Sequence, residues 1–112
     1  MPGYFLGIDV SKGYADFVLL DQQKRVVEPV FQLDDTFEGH NRLYGLLHRF
    51  WQRHDQAQFF AGLEATGGYE NNWLEALRRF QARLPLQVAR LHSFSVHAPV
   101  RSPSASSGSR GP

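Results

Sequence analysis

Gly7-Ile8-Asp9-Val10-Ser11-Lys12 and Gly62-Leu63-Glu64-Ala65-Thr66-Gly67-Gly68-Tyr69 are the two stretches whose residue types could do chemistry. Each is an apolar run that ends in one carboxylate and continues into small or hydroxyl residues. Side chains alternate along a strand, so Asp9 would share a face with Gly7 and Phe5, and Glu64 with Gly62 and Phe60. A glycine two residues before each acid leaves room beside the carboxylate. If the two runs are neighbouring parallel strands, Asp9 and Glu64 meet at one end of a sheet. Hard oxygen ligands of this kind suit Mg²⁺ or Mn²⁺, with water and a substrate phosphate filling the remaining positions. Two such ions about 3.5–4 Å apart clamp the attacking and leaving oxygens in phosphodiester cleavage. The alternative is that both are strand-end acids that meet solvent or cap the next turn. Asp16 is the weaker candidate, better read as part of a solvated strand face. The histidines at 40, 48, 54, 92 and 97 show no metal-ligand spacing.

The elements that must position these acids can be read from periodicity. Tyr4 to Val10 is a nearly continuous apolar run, as expected of a strand covered on both faces. Gly13 breaks it, and Ala15 to Leu20 is a second run that ends in a polar turn. Arg25 to Leu33 is a third strand carrying Pro29, which cannot donate to a ladder and so places this strand at an edge or on a bulge. Short links make these three an antiparallel meander. Asp35 with Glu38 forms a candidate capping box. Phe37, Leu43, Leu47, Phe50 and Trp51 then give an amphipathic helix over about 36–54. Gln58 to Leu63 is a fourth strand. Glu70 to Arg83 is a second helix with Trp73, Leu74, Leu77, Phe80 and Leu84 on its apolar side. Pro85 stops it, and Leu86 to Leu91 is a fifth strand.

A right-handed strand–helix–strand link makes strands four and five parallel to the first. An α/β fold with a mixed five-stranded sheet in the order 3-2-1-4-5 and two helices satisfies every link. This is the core of the ribonuclease H-like fold, and it puts strands one and four side by side at the centre.

The chain has 112 residues, 42% hydrophobic and 21% charged, as in an ordinary globular domain. It has no cysteine, which excludes a disulfide framework or thiolate metal site and suits a reducing cytoplasm. No apolar run approaches the roughly 20 residues that span a bilayer, and no signal-peptide pattern opens the chain. The expectation is a cytoplasmic protein without a membrane partner. Charge is uneven: residues 1–77 hold six Lys/Arg against eleven Asp/Glu, whereas 78–112 hold six Arg and no acid. The basic part could meet phosphate backbones, or it could be a solvated helix face. Residues 98–112, with five Ser, three Pro and two Gly, read as a disordered tail after a domain over 1–97. Thr66-Gly67-Gly68 lies where a strand turns into a helix, so its N–H groups could meet an anion. A plain turn that uses glycine for backbone freedom is the simpler reading.

On these residues the chain resembles the N-terminal, RuvC-like domain of DEDD-type insertion-sequence transposases, whose fold is like that of Holliday-junction resolvases. The likeness lies in Gly7 to Lys12 with Asp16 after it, then in Gly62 to Tyr69, Trp73, Leu74 and Leu77, and it covers about residues 4–96. It implies a set of four acids binding divalent metal for DNA strand chemistry, with Asp9 and Glu64 as the first two. It also implies DNA as partner (element ends and target) and a guide-like RNA from the element, and it leaves an oligomer possible. Lys12, Thr66, Gly67, Gly68, Arg78, Arg79 and Arg83 are the candidate nucleic-acid contacts. The last two acids have no counterpart, because no Asp or Glu follows Glu75. Where the family has an Asn-Pro pair and then a Lys-Thr-Asp motif, this chain has His92-Ser93 and a Pro/Ser/Gly-rich stretch. The expectation is a truncated, inactive fragment, incomplete at the C-terminus, with a frameshift as the source of the tail. Two alternatives remain: a non-catalytic nucleic-acid-binding or regulatory module on the same fold, and half of an actin-like or sugar-kinase-like ATPase. The ATPase reading ranks last, since its phosphate-binding turn wants glycine soon after the Asp and here none comes before Gly13.

Overall fold

β1 (Gly3–Ser11), β2 (Tyr14–Leu20) and β3 (Val26–Asp34) form the antiparallel meander in a computed structural model that describes residues 3–55, 57–64 and 66–91. The β1–β2 link is as tight as a hairpin allows, with Gly13 at φ 88°, a conformation that costs glycine nothing. α1 (Phe37–Arg53), β4 (Gln58–Glu64), α2 (Asn71–Phe80) and β5 (Leu86–Leu91) follow. The sheet order is β3-β2-β1-β4-β5. β1 runs antiparallel to β2 and parallel to β4, and β4 runs parallel to β5. The strand count, order and directions are those expected from the sequence.

Pro29 does what its missing N–H requires. β3 is an edge strand, and its register against β2 slips between the pairs Phe17–Phe31 and Leu19–Glu28, where Pro29 and Val30 face a single residue. The bulge lets the ladder skip the proline.

Both helices pack on one face of the sheet. Leu6, Ile8 and Val10 of β1, Phe17 and Leu19 of β2, and Phe59 and Leu63 of β4 meet Leu43, Leu47 and Phe50 of α1 and Trp73, Leu74 and Leu77 of α2. Trp73 is fully buried, with its ring edge-on to Phe17 and to His40 at 5.1 and 4.6 Å between centroids. Among the described residues no helix covers the other face. There Phe5 and Phe60 stack on each other at 5.5 Å, and Phe5, Val30 and Leu91 are exposed. The first run therefore reads as doubly covered only because Gly7 and Phe5 are as apolar as their buried neighbours.

Two helix boundaries differ from the sequence expectation. The Asp35–Glu38 capping box does not form. Thr36 is the cap of α1, its Oγ1 accepting from the Gly39 N–H at 3.0 Å. Asp35 instead accepts from His40 Nε2 at 2.8 Å and from Asn72 Nδ2 at 3.2 Å, tying the start of α1 to the start of α2. Phe37, counted on the apolar stripe, is three-quarters exposed because it begins the helix outside the contact with the sheet. α2 ends at Phe80 rather than Arg83, and a turn over 81–84 leads to Pro85. No helix among the described residues is long and apolar enough to cross a membrane. The expected tail at 98–112 lies outside the described residues.

Candidate carboxylate site

Asp9 and Glu64 arrive together because β1 and β4 run parallel in an unshifted register. The pairs Phe5–Phe60, Gly7–Gly62 and Ile8–Leu63 bring the next residue of each strand, Asp9 and Glu64, to the same level. Both belong to the open-face set, while Ile8 and Leu63 point into the core. Asp16 sits directly across from Asp9 on the antiparallel side. The three acids, Gly7, Gly62, Val18, Val30 and Leu91 line one cleft of about 520 Å³. A Cβ at Gly62 would touch Leu91, and one at Gly7 would crowd Val18. The two glycines therefore keep the floor of this cleft low.

No Lys or Arg lines the cleft, so its field is negative and draws cations. Asp9 and Glu64 make no hydrogen bond or ion pair with any described residue, whereas Asp16 accepts from Gln32 Nε2 at 3.0 Å. The donor set is all carboxylate oxygen, which fits a hard divalent cation. No group of three or more His, Cys, Asp or Glu is arranged to hold a metal among the described residues. A bound ion would take Asp9 and Glu64 and leave its other positions to water or phosphate.

The turn after Glu64 holds a residue that sequence reasoning passed over. Glu70 is fully buried. Its Oε1 accepts from the Thr66 N–H at 2.9 Å, the Thr66 hydroxyl at 3.1 Å and the Gly68 N–H at 3.0 Å. Gly67 and Gly68 have φ of 72° and 109°, conformations that favour glycine and turn these N–H groups inward. Arg90 Nη2 meets the other oxygen at 2.8 Å, an ionic contact off the hydrogen-bond line. The Thr66 amide first, and then the other donors of the turn, hold the carboxyl down at about 2 against the opposing effect of burial. The anion served by the Thr66 and Gly68 amides is thus the chain's own Glu70. A glutamate four residues after the threonine of a Thr-Gly-Gly turn was the signal available in the sequence.

The other predicted contacts are spread over the molecule. Lys12 is exposed at the hairpin tip, at the same end of β1 as Asp9. Arg78 and Arg79 are exposed at the far end of α2. That helix starts beside the carboxylates and runs away from them, by about 1.5 Å per residue. Arg83 lies further on, in the turn that leads to the start of β5. These three arginines are not part of the carboxylate end.

No protein-family model and no curated protein sequence matches the chain. Solved structures do match in shape. T. thermophilus RuvC, in complex with a Holliday junction substrate, matches with a TM-score of 0.56 at 12% identity, over 83% of this chain and 66% of that one. The ethanolamine utilization protein EutJ of Carboxydothermus hydrogenoformans matches at 0.52 and 14%, over 83% of this chain and 38% of that one. Archaeoglobus fulgidus Pelota matches at 0.50 and 20%, over 82% and 27%. The chain thus spans between about a quarter and two thirds of the length of these neighbours. With the strand order and directions above, the likeness identifies the fold as ribonuclease H-like.

Proposed function

We propose that this chain is the N-terminal domain of a DEDD-type DNA transposase, occupying residues 1–97, and that Asp9 and Glu64 are two of its metal-binding acids. The observation that supports this is the matched pair itself. Two carboxylates without a described partner stand at one level of two adjacent parallel strands, over a glycine-floored cleft free of basic residues. A divalent ion held by Asp9 and Glu64 would supply charge stabilisation for phosphodiester cleavage and strand transfer. The protein's own part is to fix the two carboxylates on rigid strands, to keep the space beside them open and to present positive charge near the same end. DNA is the partner class this reading names, with element-derived RNA as a further one.

Residues 76–112 carry no Asp or Glu, so this chain presents two acids of the four and holds metal weakly. Mn²⁺ titration followed by amide NMR tests the site. Broadening should centre on residues 9–11 and 62–64 and disappear in Asp9→Asn. Broadening centred elsewhere overturns the assignment. With labelled element-end DNA and Mn²⁺ we expect binding without cleavage. Metal-dependent cleavage that is lost in Asp9→Ala would show instead that two acids suffice.

A further inference from the structure

We propose that Arg90 is a pre-oriented phosphate contact at the carboxylate end of the sheet, held there by the buried carboxylate of Glu70. The proposal rests on the DNA reading above and names one substrate contact within it. Arg90 pairs in register with Leu63, and the next residue, Leu91, pairs with Glu64. Adjacent strands lie about 4.8 Å apart. Arg90 is therefore a near neighbour of Glu64 in the sheet, on the helix-covered side where Glu64 is on the open side. A nucleic-acid strand crossing this end of the sheet would meet both.

Arg90 is unlike the other arginines. Among the described residues it alone is tied to a fully buried acid; its own side chain is 54% exposed. The pairs Arg53–Glu28 and Arg79–Glu75 are longer, at 3.9 and 3.8 Å, and neither of their acids is buried. Arg25 is held by Asp21 in a turn at the opposite end of β2 from Asp16. Glu70 in turn cannot swing, because the Thr66 and Gly68 amides fix its other oxygen. One nitrogen of the Arg90 guanidinium is thus held by an ionic contact, and its remaining N–H groups have no described partner. A planar fork fixed in this way loses little freedom when it takes a phosphate oxygen. The orientation set by Glu70 adds directional hydrogen bonding to the one charge that Arg90 brings to a phosphate.

That distinction sets the test. Binding of the full chain to a short labelled DNA duplex is measured without metal across a salt series, for wild type, Arg90→Ala, Arg90→Lys, Glu70→Gln and Arg25→Ala, with folding checked by circular dichroism. We expect Arg90→Ala to weaken binding about tenfold, the scale of one charge-assisted contact, and to lower the salt slope by about 0.9. Arg90→Lys should keep the slope and weaken binding about threefold, since it keeps the charge and loses the fork. Glu70→Gln adds one positive charge to the molecule, so bulk attraction predicts tighter binding; loss of orientation predicts weaker binding, which we expect. Arg25→Ala, at the opposite end of β2, should leave affinity near wild type. If Arg90→Ala does not fold, Arg90→Lys and Glu70→Gln decide. Wild-type binding that none of the Arg90 and Glu70 variants weakens overturns the proposal and leaves the DNA reading standing. No DNA binding by the wild type overturns both.

Discussion

Glu70 shows how one buried carboxylate organises the residues around it. Its folded pKa of about 2 lies below the ordinary 4.5, so its contribution to stability is complete above about pH 4.5 and is lost as pH falls toward 2. Glu70→Gln keeps an acceptor for the turn amides but loses the charge, and should cost about 1–3 kcal/mol near neutral pH. Urea unfolding across pH checks both points: the gap between wild type and variant should close as pH falls from 4.5 to 2. A constant gap would mean that the cost comes from packing. Asp9 and Glu64 were legible in the sequence because strand alternation and a repeated Gly-x-acid context reveal a shared face. The Glu70–Arg90 pair was not, because it joins residues on two elements, and no local pattern marks such a contact.

At the scale of elements, caps and bulges decide the boundaries. Thr36→Ala removes the side-chain bond that caps the Gly39 N–H at the start of α1 and should cost about 1 kcal/mol. Glu38→Gln should be close to neutral, since Glu38 makes no capping contact. Equal losses in chemical denaturation would restore the capping box expected from Asp35 and Glu38. That expectation failed because two adjacent residues, Asp35 and Thr36, can both cap, and tertiary contacts with His40 and Asn72 draw Asp35 away. The edge position of β3 was legible for the opposite reason. A proline's missing donor is a constraint no tertiary contact can lift, so Pro29 alone announced an edge or a bulge, and β3 has both. The early end of α2 escaped notice because Arg83 and Leu84 continue its amphipathic spacing into a turn.

At the scale of the molecule, the two faces of the sheet are unequal. Phe17 lies in the helix-covered core and Val30 on the open face. Phe17→Ala should cost about 3–5 kcal/mol, while Val30→Lys should fall within about 0.5 kcal/mol of wild type and raise solubility. Urea midpoints and a solubility assay distinguish these outcomes. A large loss for Val30→Lys would mean that its face is covered. The strand order could be deduced because short links force a meander and helical links force parallel crossovers, which leaves one arrangement of the sheet. That both helices choose the same face could not, since the apolar residues of β1 lie on both sides of the strand.

The parallel pairing of β1 with β4 also governs when the site comes into being. β1 and β2 can close into a hairpin as soon as both leave the ribosome, but Asp9 must wait for β4, some fifty residues later in the chain. At about 5–20 residues per second of synthesis, that delay is on the order of 3–10 s. During it the meander exposes the apolar face that α1 and α2 later cover. The contacts that close last span the longest loops and set the pace of folding. The carboxylate pair therefore exists only once the long-range half of the sheet has formed, so a metal titrated into a refolding reaction would bind with the slowest phase rather than the first.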